Sequence, residues 1–112
     1  MTLGQKQRLF SRLAAKLILK AYALGFEISL GEALRPKAWA KILAEEGRGI
    51  KKSLHCEKLA IDLNLFRDGK YLSTARDHLK LGKWWEKQHP LCRWGGRFGD
   101  GNHYSLTHSG RK

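Results

Sequence analysis

The chain has 112 residues, with 22 lysines and arginines against 10 aspartates and glutamates and a formal charge of +12. That length is enough for one domain with a real core, and the two cysteines, Cys56 and Cys92, argue against a cysteine-rich zinc knuckle or a secreted disulfide scaffold. The charge attracts polyanions of any kind, whether nucleic acid, an anionic membrane surface or an acidic cell-wall polymer, and does not choose among them. No stretch approaches the roughly 20 apolar residues that span a bilayer and no cleavable leader is evident, so a soluble protein made in the cytoplasm is expected.

In residues 5–24, Phe10, Leu13, Ala14, Leu17, Ile18, Ala21 and Leu24 recur at three- and four-residue steps, with Arg8, Arg12, Lys16 and Lys20 opposite. The spacing predicts an amphipathic helix stopped by Gly25, its apolar side packed on the domain, although a basic stripe of this kind can also lie on a membrane. Residues 26–30 alternate as a strand, and the extended path continues to Arg35 because Pro36 disfavours helical geometry before it. Pro36 opens a helix to about Glu46 with Trp39, Ile42 and Leu43 inward, and residues 47–52 form a glycine- and lysine-rich loop.

Residues 53–62 bring His55 and Asp62 to the start of an apolar strand. There Ile61, Leu63 and Leu65 point one way and Asp62 and Asn64 the other. Arg67-Asp68-Gly69-Lys70 predicts a hairpin turn, with Tyr71 and Leu72 starting the return strand. Thr74 caps a helix to about His89, anchored by Leu81, Trp84 and Trp85. Residues 91–101 contain four glycines and read as an irregular loop with Trp94 and Phe98 as anchors. In residues 103–107 alternation places His103 with Ser105 and Thr107, opposite Tyr104 and Leu106. If this strand pairs beside the Asp62 strand, His103 and Asp62 rise from one face while Ile61, Leu63, Tyr104 and Leu106 fill the other. His78, His89 and His108 are expected at the surface, with His108 close to the site strand. Residues 108–112 are expected to fray. The fold class is α+β, a small antiparallel sheet with flanking helices, in a single domain over residues 1–112.

His55, Asp62 and His103 together make a three-ligand set that suits zinc and leaves a fourth position for water. Either histidine alone is more often a surface or hydrogen-bonded residue; the ordered set is what carries the reading. Zinc at a hydrolytic site lowers the pKa of its water to about 7, yet a carboxylate must still ferry the proton to the leaving amine, and Asp100 is placed for that. Arg35, at a strand end, is a candidate to stabilise a tetrahedral intermediate, against the plainer role of an ion pair with Glu32. Cys56 adjoins His55, but adjacent side chains on an extended segment point apart, which argues against it as a ligand.

The ordered residues resemble the zinc D-alanyl-D-alanine carboxypeptidases and the related L-alanyl-D-glutamate peptidases, phage endolysins among them, whose fold is of the carboxypeptidase and hedgehog type. That family's pattern is Ser-x-His-x-x-Gly-x-Ala-x-Asp, then Trp-Gly-Gly, then Asp or Glu, two residues, and His. Here it reads Ser53, His55, Ala60 and Asp62, then Trp94-Gly95-Gly96, Asp100 and His103, with residues 31–35 looking like the family's strand end and its arginine. The resemblance covers residues 26–107. It departs at Lys58, where the family has glycine; a positive backbone angle there would strain a lysine.

The resemblance implies Zn2+ held by His55, Asp62 and His103, Asp100 as catalytic base, and Arg35 and Ser53 in contact with substrate. The substrate implied is a peptidoglycan stem peptide and the activity that of an L-alanyl-D-glutamate endopeptidase. As a monomeric, antimicrobial phage endolysin, such a protein waits in the host cytoplasm and reaches the wall in the periplasm once the membrane is permeabilised. A D-alanyl-D-alanine carboxypeptidase is the nearest alternative, but the only loops able to wall off a cleft, residues 47–52 and 91–101, are rich in glycine and favour an open groove. The +12 charge suggests attraction to an anionic cell-wall or outer-membrane surface. A different class is a nucleic-acid-binding protein with a structural zinc on His55, Cys56, His89 and Cys92. The adjacent His55-Cys56 pair is poor spacing for such a site, and no specific nucleic acid is expected.

Overall fold

The computed structural model describes residues 1–47 and 53–111. In chain order come α1 (Leu3–Ala23), β1 (Glu27–Leu30), α2 (Lys37–Glu45), a 3₁₀ turn (Leu54–Glu57), β2 (Ala60–Arg67), β3 (Lys70–Leu72), α3 (Ala75–Glu86), β4 (Cys92–Trp94), a second 3₁₀ turn (Gly95–Phe98) and β5 (His103–Leu106). The architecture is the expected α+β. All strand pairs are antiparallel, in the order β1-β2-β5-β4, with β3 also on β2.

α1 begins at a capping box in which Thr2 and Gln5 satisfy each other's backbone amides, and Gly25, at φ 89°, lets the chain turn out of the helix. Its periodic residues Phe10, Leu13, Ala14, Leu17 and Ala21 are buried, so the apolar side is spent on the core. α3 starts at a second capping box, Thr74 with Asp77. Trp85 is fully buried, edge-on to both Phe10 and Tyr104 at centroid separations of 6.0 Å and 6.2 Å. α1 and α3 therefore both cover the sheet face made by Ile61, Leu63, Tyr104 and Leu106, each such residue contributing about 1.5–3 kcal/mol of burial. The hairpin lies where its turn residues put it, with Asp68 at φ 53° and Gly69 at φ 75°.

Five expectations need correction. α2 turns Ala40 and Leu43 inward, while Trp39 and Ile42 are 40 % and 43 % exposed, and Pro36 stands just before the helix. α3 ends at Glu86, three residues before the predicted stop, because the chain turns ahead of Pro90 and the His89 carbonyl accepts from the Cys92 amide. The stretch after Leu91 is not all loop: β4 pairs with β5, setting Cys92 against Leu106 and Trp94 against Tyr104. The C-terminal segment is tied down, with Lys6 Nζ 3.1 Å from His108 Nδ1, Arg111 3.8 Å from Glu57, and a bridge between His108 and Arg111. His78 is buried rather than on the surface, and its Nδ1 lies 2.7 Å from the Tyr104 hydroxyl. Of the loop predicted at 47–52, residues 48–52 lie outside the described residues.

Burial pushes the His78 imidazole down to about 4 against the nearby charge of Asp77, so the folded protein holds it neutral. The unfolded chain, with His78 near 6.5, takes up the proton first; the stabilisation is therefore complete above pH 6.5 and is lost as pH falls toward 4. In urea titrations across this window, wild type should lose roughly 2–3 kcal/mol from this group. His78→Gln, which keeps a hydrogen-bonding group near Tyr104, should show a flatter dependence. Parallel pH profiles would remove His78 as the cause.

Candidate metal centre

His55, Asp62 and His103 offer ligand atoms within 4.8 Å of one another, the one such group of three or more metal-binding side chains among the described residues. Three local structures bring them there. Asp62 and His103 are direct partners in the antiparallel β2–β5 pair, beside the partners Ile61 and Tyr104, so the two ligands share the sheet face away from α1 and α3. The Asp62 backbone is fixed on its other side by Gly31 and Glu32, whose amide and carbonyl bond to it at 2.8 Å each. His55 comes from the 3₁₀ turn Leu54–Glu57, where an extended segment was expected. Ser53 Oγ starts that turn by accepting from the His55 amide at 3.2 Å.

The turn closes at Lys58, with φ 57° and ψ 35°. This left-handed conformation is the one that glycine adopts freely and lysine at a cost of about 1 kcal/mol, so the departure from the glycine pattern is a local strain and leaves the turn intact. Lys58→Gly should raise unfolding stability by roughly 0.5–1 kcal/mol, measured by denaturant titration, whereas Lys58→Ala should not. Equal effects of the two substitutions would mean that the side chain, not the backbone angle, sets the cost.

The ring of His55 is 3 % exposed; its Nδ1 donates to the Ala33 carbonyl at 3.2 Å, which turns Nε2 toward Asp62 Oδ1 at 3.3 Å. His103 Nδ1 lies 3.5 Å from the same oxygen, and the two imidazoles stand 5.1 Å apart. Burial works to raise the Asp62 pKa, but hydrogen bonds and charge from His103 and His55 overcome it and hold the carboxyl at about 2. Burial alone would lower the His55 pKa; the Asp62 carboxylate outweighs it and the net shift is upward. Asp62 Oδ1 and His103 Nε2 are both shielded from water, and the contacts of Asp62 Oδ1 with His55 Nε2 and His103 Nδ1, at 3.3 Å and 3.5 Å, are long for hydrogen bonds. A buried, ionised carboxylate oxygen flanked by two imidazole nitrogens at more than hydrogen-bond length suits a cation, and two imidazoles with one carboxylate are a donor set that fits zinc.

The loop after β4 brings the fourth group. Gly95 is obligatory there, because a Cβ on it would come within 2.2 Å of the Asp100 carbonyl and 2.7 Å of the His103 Cβ. Trp94 pins the same loop by donating from Nε1 to the Gly101 carbonyl at 2.7 Å while its indole lies against Gly82 of α3. Asp100, half exposed, is held by its amide bond to the Gly95 carbonyl and places Oδ2 3.9 Å from His103 Nδ1. Partial burial and the charge of Asp62 push its pKa up, against His103. Phe98, 50 % exposed, lies at the rim with its ring 6.0 Å from that of His103. Arg35 is paired with Glu32, which itself lies 4.0 Å from His55 Nδ1, and the Arg35 amide donates to the His55 carbonyl. The Arg35–Glu32 ion pair offered by the sequence is present, whereas the Ala33 carbonyl that orients His55 was not singled out, since a backbone acceptor leaves no signal in the sequence.

His89 and Cys92 do not join His55 and Cys56 in a metal-binding group among the described residues, and burial pushes the Cys92 thiol up to about 12. Among the described residues no helix is long and apolar enough to cross a membrane.

No family model matches the sequence, and no curated protein matches it. Among solved structures the chain is similar to the L-Ala D-Glu endopeptidase ChiX of Serratia marcescens, with 21 % identity over 87 % of this chain and 79 % of that one and a TM-score of 0.70. The likeness shows that the two share a fold.

Titrated with zinc, the protein should bind one ion per chain, and His55→Ala and His103→Ala should each abolish tight binding while staying folded by circular dichroism. Full retention of zinc in both variants would take these side chains out of any metal site.

Proposed function

We propose that the protein is a zinc peptidase of peptidoglycan that hydrolyses the L-alanyl-D-glutamate bond of the stem peptide, acting as a phage endolysin in host-cell lysis. The observation that carries this reading is the His55–Asp62–His103 cluster, with a carboxylate beside it, in a fold shared with an L-Ala D-Glu endopeptidase. His55, Asp62 and His103 would hold the zinc, which when bound polarises the scissile carbonyl and acidifies water.

The chain's own residues supply the rest. Asp100 is free enough to reach substrate and has a raised pKa, so its Oδ2 can accept the proton of the attacking water and return it to the departing amine nitrogen. Arg35, fixed by Glu32, contributes positive potential where charge develops on the carbonyl oxygen. Ser53, 4 % exposed, serves the substrate side chiefly by fixing the turn that carries His55. Asp100 and Phe98, each about half exposed, leave the centre accessible to a substrate from that side. In this reading the chain is a single catalytic domain working as a monomer, made in the host cytoplasm and reaching the wall in the periplasm once the membrane is permeabilised.

Mass spectrometry of digested peptidoglycan tests the bond: new N-terminal D-glutamate is expected, and free D-alanine as the sole product would make the protein a carboxypeptidase instead. Asp100→Asn should keep the fold and bound zinc but lose about a hundredfold or more in hydrolysis. Near-wild-type turnover by that variant would reduce Asp100 to a turn residue.

A further inference from the structure

The face covered by α1 and α3, away from the metal ligands, carries an uncompensated positive recess. α1 holds Lys6, Arg8, Arg12, Lys16 and Lys20 and no carboxylate. The two carboxylates of α3 are engaged elsewhere: Asp77 in its capping box, and Glu86 with Arg97 at 2.9 Å and the Trp94 amide. Between the two helices lies a cavity of about 310 Å³ lined by Lys20, Leu24, Lys80, Lys83, Trp84 and Lys87. Among the described residues none of these lysines is ion-paired; Lys20 Nζ instead lies 5.9 Å from the centroid of the Trp84 ring. One cation–π contact offsets only about 0.5–1 kcal/mol at an exposed site, so four lysines lining one recess with an apolar floor offer a bound anion positive charge from both helices.

We propose that this recess binds a phosphorylated glycan, its phosphates at the lysine rim and its sugar ring against Trp84 and Leu24. Lysine is a compact point charge with rotatable donors, suited to tetrahedral phosphate, and the rim has no arginine fork of the kind that reads planar carboxylates and base edges. The site is a concave volume at the lower end of the range for small-ligand pockets, a shape that takes a sugar phosphate and that a flat bilayer does not fill. Its biological source rests on the proposed function, since an enzyme of the cell envelope works among anionic glycans. Because α1 and α3 lie across the sheet from His55, Asp62 and His103, an occupied recess leaves the metal centre open, and the protein would grip its polymer on one face while cutting on the other.

The test is equilibrium binding of a fluorescently labelled phosphomannan oligosaccharide to the full chain. Lys80→Gln/Lys83→Gln should weaken binding about tenfold or more, whereas Lys37→Gln/Lys41→Gln, which removes equal charge from α2, should change it less than about threefold. The indole resonance of Trp84 should shift on titration and that of Trp39 should not. Both double variants should hydrolyse a soluble stem tetrapeptide like wild type, so a chain with no peptidase activity can still pass or fail on binding alone. Equal loss in the two variants would show a general effect of net charge and overturn the site. So would equally tight binding of unphosphorylated mannan, of a DNA duplex, or of phosphatidylglycerol vesicles.

Discussion

The pairing of Asp62 with His103 across β2 and β5 is the constraint on which the rest depends. Side chains alternate along a strand, so the register that sets Asp62 beside His103 also sets Ile61 beside Tyr104 on the other face, under Trp85. A slip of one residue would bury an ionised aspartate among leucines and expose the apolar row, a cost of many kcal/mol. Core and candidate site thus stabilise one another's geometry. Hydrophobic burial on one face holds together two imidazoles and a carboxylate that would otherwise be solvated separately.

Much of this was legible because it follows from short-range rules. α1 shows its 3.6-residue period, the Asp68-Gly69 turn fixes the hairpin, and alternation sorts Asp62 and His103 from their apolar neighbours. What was missed depends on partners distant in sequence. His78 belongs with Leu81, Gly82 and Trp85 on the buried side of α3, at steps of three, four and seven residues, yet a histidine reads as polar until Tyr104 comes within 2.7 Å. β4 is three residues long and its glycine-rich sequel looks like loop; only β5 beside it makes Cys92 and Trp94 a strand. α2 offers Trp39, Ile42 and Leu43 as equally apolar, so hydrophobicity alone did not single out Ala40 and Leu43 as its buried side. The C-terminal segment resisted reading because its anchors, Lys6 and Glu57, are far away in the chain.

Lys58 shows how a position suited to glycine can carry another residue and keep its geometry. The left-handed angle is demanded by the need to turn from the 3₁₀ turn into β2 while His55 stays aimed at Asp62. Glycine meets that demand at little steric cost; lysine meets it at about 1 kcal/mol, a small fraction of the stability supplied by the surrounding burial. The contrast is Gly95, where backbone approach leaves no room for any side chain and no packing gain could offset the clash. Of the two positions, only Gly95 is fixed by sterics.

The electrostatics of the site then have to be reconciled with a protein of charge +12, which at first sight repels a dication. The answer lies in distance. Of the 10 acidic residues, three stand at the site: Asp62 between the imidazoles, Asp100 at 3.9 Å from His103, and Glu32 at 4.0 Å from His55. Near a surface a unit charge at 4 Å is worth about 4 kcal/mol, whereas exposed charges beyond a Debye length of about 8–10 Å are largely screened by salt. The cations of α1 and α3 lie across the sheet and most of them are exposed, so they act on distant polymers at low salt and only weakly on an ion at the site. Among the described residues Arg35 stands near the ligands and opposes protonation of His55, yet Glu32 takes up its charge within one ion pair. A strongly basic surface and a metal-binding centre can therefore coexist because carboxylates cluster at the site while the cations of α1 and α3 lie across the sheet.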